Sequence, residues 1–196
     1  EKPGVFGRPI EELQVDGLIP LIMLHCIKYL TKTPARLKTE GLFRVSANYR
    51  ELDELKKEYC DPAAQVDLEC TKNIHNVCGL FKAWFSQLPD PLFPFEMYQP
   101  LIDVFSSTED EEILIDFFRK VLGQLTEQRR CVILMLFEYF SLILKHQSEN
   151  KMSPSNLSIV FAPNILRPVV TDAISLMSKE PNLIIEFMIE NYESIL

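Results

Sequence analysis

Hydrophobic residues return every three or four positions along almost the whole chain, which is the spacing of helices that bury one face. The alternation typical of strands and the Asn-Gly dipeptides typical of tight hairpins are missing from the sequence. We therefore expect an all-α fold. The apolar stripes predict helices at about 22–30, 52–59, 74–88, 95–105, 109–123, 131–144, from Pro154 onward, and 173–192.

Capping residues predict where two of these helices begin. Asn48 and Glu51 form the Asn-x-x-Glu pattern of a capping box, in which side chains accept hydrogen bonds from free backbone N–H groups. Ser107 or Thr108 is expected to open the helix at 109–123, because acidic residues follow it and suit the positive end of the helix dipole.

Prolines mark further boundaries. Ser153 followed by Pro154 predicts a helix start, since proline is well tolerated at the first helical position. Pro163 and Pro168 are expected to break the chain again. The proline-rich segment 88–94, LPDPLFP, predicts a rigid turn between two helices.

The segment 131–144, CVILMLFEYFSLIL, predicts a central core helix that is apolar almost all round. It is shorter than a membrane span, and Glu138 and Ser141 interrupt it. A chain of 196 residues can bury a substantial core, so we expect one multi-helix bundle domain over residues 1–196.

Composition narrows the function. A hydrophobic content of 47% and a charged content of 24% suit a globular protein. The net charge of −8 argues against general nucleic-acid binding and against a polybasic membrane patch. The stretch from Lys28 to Arg50 is nevertheless locally basic, which indicates either a solvated helix end and loop or a surface for an acidic partner.

The sequence carries no signature of catalysis or of metal binding. The five cysteines include no Cys-x-x-Cys pair, so reduced thiols in the cytosol are expected rather than a zinc site or a disulfide framework. His25, His75 and His146 lack the spacing of metal ligands. Phosphate-loop, nucleophile-elbow and zinc-protease motifs are also missing. An enzyme that acts alone is therefore not expected.

Arg44 is the main candidate for chemistry, because it lies between apolar residues in the sequence GLFRVS. Charged side chains are seldom buried unless they are paired. Either an acidic residue pairs with Arg44 in the core, or Leu42, Phe43 and Val45 anchor a loop that holds the guanidinium outward. A fixed outward arginine is suited to stabilising charge in a transition state.

The helix at 74–88 offers a second candidate surface. Beside its apolar face lies a polar flank of His75, Gly79, Lys82 and Ser86 at helical spacing. This flank is either an ordinary solvated surface or the wall of a groove in which Gly79 leaves room for a partner.

Three blocks of the sequence resemble the Rho-type GTPase-activating domain, known as RhoGAP. They are EGLFRVSA at 40–47, FKAWFSQLPDPLFP at 81–94 and NKMSPSNLSIVFAPNIL at 150–166. Their order and spacing are those of the family, and they leave the chain from about residue 9 to the end inside one such domain. The resemblance implies an all-helical bundle, in agreement with the hydrophobic pattern.

The resemblance also implies a function. Arg44 matches the family's arginine finger, which enters the nucleotide pocket of a GTP-bound Rho-, Rac- or Cdc42-type small GTPase and stabilises the transferring phosphoryl group. The partner would supply nucleotide and magnesium, so the chain needs no cofactor or metal and is an activator rather than an enzyme. We expect a cytoplasmic monomer that binds no nucleic acid and inserts into no membrane, with recruitment to membranes left to other parts of a parent protein.

Further site residues follow from the same resemblance. Lys82 matches a lysine that contacts the GTPase switch region, and Asn164, presented by a turn at Pro163, matches an asparagine near the same place. Ser86 stands where family members commonly carry an arginine that stabilises the finger loop. An intact finger favours an activator, whereas Ser86 leaves open a docking module of the same fold that binds the GTPase without accelerating hydrolysis.

Overall fold

The computed structural model describes residues 4–13, 15–60, 66–170 and 178–195. Helices form nearly all of the regular structure in these ranges, which confirms the all-α prediction. The helices are α1 (Leu21–Thr31), α2 (Pro34–Leu37), α3 (Tyr49–Cys60), α4 (Ile74–Ser86), α5 (Phe95–Ser107), α6 (Glu111–Gln124), α7 (Glu127–Leu144), α8 (Gln147–Asn150), α9 (Pro154–Ile165), α10 (Glu180–Glu190) and α11 (Tyr192–Ile195), with 3₁₀ turns at Ile10–Glu12 and Leu68–Cys70.

A small antiparallel hairpin precedes α1, which the sequence pattern did not predict. Its strands are β1 (Val15–Asp16) and β2 (Ile19–Pro20). Gly17 supplies the positive φ of +63° that the two-residue turn requires. Two-residue strands are too short to show an alternation, and the turn reads Gly-Leu rather than Asn-Gly, so the usual signals were missing.

The start of α3 confirms Asn48 as its cap. The Asn48 side-chain oxygen accepts hydrogen bonds from the backbone N–H groups of Arg50 and Glu51, at 3.0 and 3.2 Å. Glu51 does not complete the capping box. Instead Asn76 of α4 donates to the Glu51 carboxylate, and the Asn76 oxygen accepts from the Asn48 N–H at 2.8 Å. A neighbouring helix therefore completes this cap.

One predicted helix start lies too early in the chain. Asp110 caps α6 by accepting from the N–H groups of Glu112 and Ile113, whereas Thr108 accepts from the N–H of Asp110. The last long helix among the described residues begins at Glu180. Residues 173–177 of the predicted span 173–192 lie outside the described residues, so the start predicted there stays a prediction.

The predicted break at Pro163 was wrong. Ser153 caps α9 as expected by accepting from the N–H of Asn156 at 3.1 Å, but the helix continues through Pro163 to Ile165. Proline removes one backbone donor and places its ring against the preceding turn. Pro163 is exposed and lies in the last turn of the helix, where only one intrahelical bond is lost.

The core joins α4, α7 and α9 through aromatic rings. α7 buries most of its apolar residues and is the central helix that its composition predicts. Phe43, from the connection between α2 and α3, lies 5.7 Å from Phe81 of α4, 6.0 Å from Tyr139 of α7 and 5.0 Å from Phe161 of α9, measured between ring centroids. The chain segment that carries Arg44 is thus anchored where these three helices meet. Within the described ranges, no helix is both long and apolar enough to cross a membrane.

Candidate functional site

Arg44 lies in the connection between α2 and α3, residues 38–48, which we call the Arg44 loop. Its side chain is exposed, and the described part of the chain offers it no side-chain hydrogen bond or ion pair. Leu42 and Phe43 before it are both 0% exposed. The structure therefore selects the second alternative from the sequence, a loop that is anchored in the core and holds its arginine outward.

Val45 does not share in this anchoring. It was expected to enter the core with Leu42 and Phe43, but its side chain is 44% exposed. The backbone turns at Phe43, so the residues on the two sides of Arg44 have different environments. Arg44 and Val45 together form an exposed tip above two buried residues.

The backbone of the Arg44 loop adopts two left-handed conformations. Gly41 has φ of +71°, and Phe43 has φ of +65°, which is unusual for a residue with a Cβ. Such a conformation costs on the order of 1–3 kcal/mol and persists where the surrounding structure enforces it. Here the buried Phe43 ring enforces it, and the N–H groups of Arg44 and Val45 both donate to the Gly41 carbonyl at 2.9 Å.

Asn150 attaches the start of this turn to the rest of the bundle, and sequence reasoning missed it. The Gly41 N–H donates to the Asn150 carbonyl at 2.7 Å. The buried Asn150 side chain in turn donates to the carbonyls of Leu37 and Ile143, at 2.9 and 2.8 Å. It lies in the block that resembles the family, but a buried asparagine cannot be recognised from its sequence neighbours.

Lys82 lies beneath the loop rather than on an open helix flank. Its side chain is half-buried, and its ammonium group donates to the carbonyl of Phe43, in the peptide that leads into Arg44. Burial lowers the pKa of Lys82, while the neighbouring Cys78 acts in the opposite direction. The structure thus brings Lys82 and the Arg44 loop together, a contact that the sequence did not predict.

Gly79 does not leave room for a partner, so this interpretation of the α4 flank was wrong. Gly79 is buried, and a Cβ added to it would lie 2.6 Å from the Cβ of Ala47 and 3.5 Å from Leu52. Its missing side chain allows the Arg44 loop and α3 to approach α4 closely. The space at Gly79 is filled by the protein itself.

Ser86 is exposed at the end of α4. Its hydroxyl donates to the carbonyl of Ala83 in the same helix, at 3.0 Å. This hydrogen bond does not reach the Arg44 loop.

Asn164 and Pro163 lie in the last turn of α9. Asn164 is half-buried, and its side-chain amide donates to the Val160 carbonyl at 2.9 Å, whereas Pro163 is exposed. α4 and α9 pack against each other, so both helices carry candidate residues next to one aromatic cluster.

Arg129 of α7 is a buried arginine, and the sequence did not single it out. Its guanidinium donates to the Glu11 carboxylate at 2.9 Å and forms an ion pair with Asp90 at 3.2 Å. It also donates to the carbonyls of Pro91 and Leu92, at 2.6 and 3.3 Å. Arg129 therefore holds the proline-rich segment against α7.

The possible metal ligands and the cysteines of the described residues were compared with what a metal site or a reactive thiol requires. Within the described ranges, no group of three or more His, Cys, Asp and Glu residues could hold a metal ion. All five cysteines are free, and burial raises the pKa of the Cys78 thiol to about 12. Cys78 therefore remains protonated beneath the Arg44 loop at neutral pH.

Comparison with known sequences gives a consistent similarity. Residues 20–170 match the RhoGAP domain family. The chain is 31% identical over 194 residues to the Rho GTPase-activating protein gacY of Dictyostelium discoideum, which covers 95% of this chain and 26% of that protein. It is 31% identical over 165 residues to the Rho GTPase-activating protein 35 of Rattus norvegicus, which covers 83% of this chain and 11% of that protein.

Comparison with solved structures extends the similarity to the fold. The crystal structure of human Rho GTPase activating protein 15 matches with a TM-score of 0.90 at 26% identity, covering 100% of this chain and 93% of that chain. The BH domain from GRAF, the GTPase regulator associated with focal adhesion kinase, matches with a TM-score of 0.76 at 25% identity. This match covers 89% of this chain and 92% of that chain. The chain spans only about a quarter or less of the two relatives named above, but nearly all of these structures.

Proposed function

The chain belongs to the RhoGAP domain family, and we propose that it accelerates GTP hydrolysis by a Rho-family small GTPase. In this proposal it binds the GTP-bound form and places Arg44 in the partner's nucleotide pocket. One observation carries the proposal: Arg44 is exposed and unpaired among the described residues, directly after two fully buried ones. The protein thus fixes the backbone at Arg44, and the described residues leave the charge of its side chain unpaired.

The chemistry of the proposal is charge stabilisation. As GTP is hydrolysed, negative charge is distributed over the oxygens of the transferring phosphoryl group, and a guanidinium supplied by a second protein can neutralise it. For the Ras system such an arginine is worth about 10³–10⁵ in rate. That factor corresponds to roughly 4–7 kcal/mol of activation free energy. The GTPase would provide the nucleotide, the magnesium ion and the positioned water.

Preorganisation of the Arg44 loop supports this role. A catalytic charge is most effective when its orientation does not have to be established during the reaction. The buried Phe43 ring and the Asn150–Gly41 hydrogen bond restrict the loop from opposite sides of the turn. The Arg44 side chain alone would then have to become ordered on binding.

Lys82 acquires a role in supporting the loop. Its ammonium group has three donors, and the Phe43 carbonyl accepts from one of them. We propose that Lys82 mainly fixes the peptide before Arg44 and that a remaining donor contacts a carbonyl or carboxylate of the GTPase switch region. Its half-buried position suits the first task, since loss of the charge would leave the Phe43 carbonyl without this donor.

Asn164, Pro163 and Ser86 complete the proposed contact surface. Pro163 and Ser86 are exposed at the C-terminal ends of α9 and α4, and Asn164 is half-buried beside Pro163. We propose that these residues contact the partner around the Arg44 loop. Gly79 is no longer among the proposed contacts, because Ala47 covers it.

The alternative function is a docking module that binds the GTPase without accelerating hydrolysis. Ser86 favours it, because its hydroxyl bonds within α4 and provides no support to the Arg44 loop. Lys82, one turn earlier on the same helix, does provide such support. We therefore favour the activator.

The test is GTP hydrolysis by purified Rho-, Rac- and Cdc42-type GTPases loaded with GTP, with and without the chain. An activator accelerates hydrolysis by at least one of them when present at a small fraction of the GTPase concentration. A docking module binds a GTP-loaded GTPase at high concentration and leaves its rate unchanged. Failure both to bind and to accelerate every GTPase tested would contradict the proposed function in both forms.

A further inference from the structure

Arg167 follows α9 and has an unusual set of contacts for a half-buried charge. One nitrogen donates to the carbonyl of Asn164 at 3.1 Å, and another donates to the carbonyl of Leu88 at 2.5 Å. Its guanidinium also lies 5.4 Å from the centre of the Phe95 ring. In the described part of the chain no acidic oxygen lies within ion-pair distance of it.

The two carbonyls belong to the ends of two different helices. Leu88 lies just beyond the end of α4, and Asn164 lies in the last turn of α9. The Asn164 carbonyl, in the last turn of α9, lacks an intrahelical donor, and a cation is favourable there. Burial lowers the pKa of Arg167, although the charge of Asp90 opposes this effect. A desolvated charge is therefore retained where a single planar group joins the last turn of α9 to the segment just after α4.

The same helix end has a second attachment. The N–H of Phe93, in the proline-rich segment after α4, donates to the carbonyl of Ile165 at 2.9 Å. This bond fixes the end of α9 against the segment, but it does not reach Asn164. Arg167 is thus the described side chain that joins the Asn164 backbone directly to the end of α4.

We propose that Arg167 is a positioning residue for partner binding: it fixes the C-terminal end of α9 against the end of α4 and so determines where Asn164 meets the GTPase. This inference rests on the proposed function. The Arg44 loop is held separately, by Phe43, Lys82 and Asn150, so loss of Arg167 displaces Asn164 without displacing the finger.

The first experiment measures stimulated hydrolysis with Arg167→Met in the full chain, against the GTP-loaded GTPase that responds to the wild type. We expect KM for that GTPase to rise about tenfold, the size of effect produced by loss of a charge-assisted contact, while kcat stays within about twofold. A purely structural role would lower the folded fraction and hence the apparent kcat, with KM unchanged. That result would overturn the inference.

A double-mutant cycle tests whether Arg167 acts through Asn164. Asn164→Ala is expected to raise KM by itself, and Arg167→Met is expected to add little in the Asn164→Ala background, because the side chain it positions is already gone. Fully additive effects on KM would show that Arg167 acts elsewhere, and they would overturn the inference.

Arg119→Met is the matched control. Arg119 is an exposed arginine on α6 that donates to a single backbone carbonyl, that of Ser194, at 2.7 Å. The change removes an arginine–carbonyl bond away from the proposed contact surface, so KM and kcat should both be unchanged. If KM rose equally in Arg119→Met, the Arg167 effect would be explained by the loss of a positive charge anywhere on the protein. That result would contradict the inference.

Arg167→Lys keeps the proposal testable if Arg167→Met does not fold. Lysine keeps the charge but cannot span two carbonyls with one planar group, so an intermediate KM is expected. A wild-type KM in Arg167→Lys would overturn the inference. If the wild type accelerates no GTPase, the proposed function fails and the inference fails with it. If the wild type is active and the Arg167 variants match it, only the inference fails.

Discussion

Arg44 and Arg129 are both held by contacts with the folded core, but their guanidinium groups have opposite environments. The Arg129 side chain is 8% exposed and directs its nitrogens at two carboxylates and two backbone carbonyls. Arg44 is exposed, follows two fully buried residues and has no side-chain partner in the described ranges.

The difference separates an arginine that holds the structure from one that is available to a partner. In Arg129 the cost of burial is offset by contacts to Glu11, Asp90 and the proline-rich segment, and the donors are occupied. Beside Arg44, Leu42 and Phe43 are buried and Val45 is exposed, and the described residues offer the guanidinium donors no partner. The two arginines are distinguished by whether residues of the protein occupy the donors of the guanidinium group.

The largest effect is expected for Arg44→Ala. It should reduce stimulated GTP hydrolysis by about 10³–10⁵-fold, since the charge would be used mainly in the transition state. The melting temperature should stay within about 2 °C, because surface changes away from packed contacts alter stability by at most about 0.5 kcal/mol. Single-turnover hydrolysis and thermal melting on the same variant check both expectations.

Arg50→Ala is the control for Arg44, because Arg50 is an exposed arginine six positions later in α3. It removes the same charge but leaves the loop tip intact, so kcat should not change. Arg44→Lys should restore little, since an ammonium cannot reproduce the planar guanidinium. If Arg44→Ala melted far below the wild type but the folded fraction stimulated normally, the finger assignment would be wrong.

The next largest effect is expected for Arg129→Met, on stability rather than on rate. We expect a loss of about 2–4 kcal/mol, below the value for a fully buried pair because both carboxylates also reach water. For a domain of this size the melting temperature should fall by roughly 5–15 °C. Stimulation per folded molecule should remain within about twofold. A loss of stimulation without a loss of stability would remove the distinction between the two arginines.

Lys82→Met tests how the Arg44 loop is held. It should lower stimulated kcat by about tenfold, because a charge-assisted hydrogen bond to the Phe43 carbonyl is lost and the carbonyl remains partly buried. Lys82→Arg, which keeps a donor but changes its geometry, should recover part of the rate. An effect confined to KM would mean that Lys82 binds the partner and does not support the loop.

A smaller effect is expected on the pH dependence of folding stability, through the Glu11 carboxyl that pairs with Arg129. Burial alone would raise the pKa of Glu11, but its backbone hydrogen bond and the Arg129 guanidinium outweigh burial and hold that pKa below its ordinary value of 4.5. A carboxyl with a lowered folded pKa stabilises the protein above its unfolded pKa, and this contribution is lost as the pH falls through the folded value. Denaturant unfolding of Glu11→Gln below pH 4.5 should therefore show a weaker acid dependence than the wild type. An identical acid dependence would contradict the pairing.

The smallest effect is expected for Ser86→Arg. An arginine one turn after Lys82 is within reach of the Arg44 loop and would add a second support. Stimulated kcat should rise by a few-fold at most, which corresponds to about 1 kcal/mol or less of activation free energy. Ser86→Lys adds the same charge without the planar fork and should give a smaller gain. An unchanged rate would indicate that Phe43, Asn150 and Lys82 already hold the loop completely.

Local patterns were enough to predict the longer helices, the cap at Asn48, the core position of α7 and, through three sequence blocks, the family. A helix buries one face at a period of 3.6 residues, and a cap acts within one turn, so both leave their signal in neighbouring residues. Errors within these elements were small and also local, such as the cap at Asp110 in place of Thr108.

The candidate site depended on contacts that no local pattern contains. The buried alternative considered for Arg44 applies instead to Arg129, whose partner Glu11 lies 118 positions away in the chain. Gly79 is closed because Ala47 lies over it, and Lys82 is half-buried because the Phe43 carbonyl faces it. Burial and pairing are set by which residues the fold brings together. A charged side chain is stable when it is buried with partners and also when it is exposed to water. Only the tertiary structure decided which arginine has its partners inside the protein and which has none among the described residues.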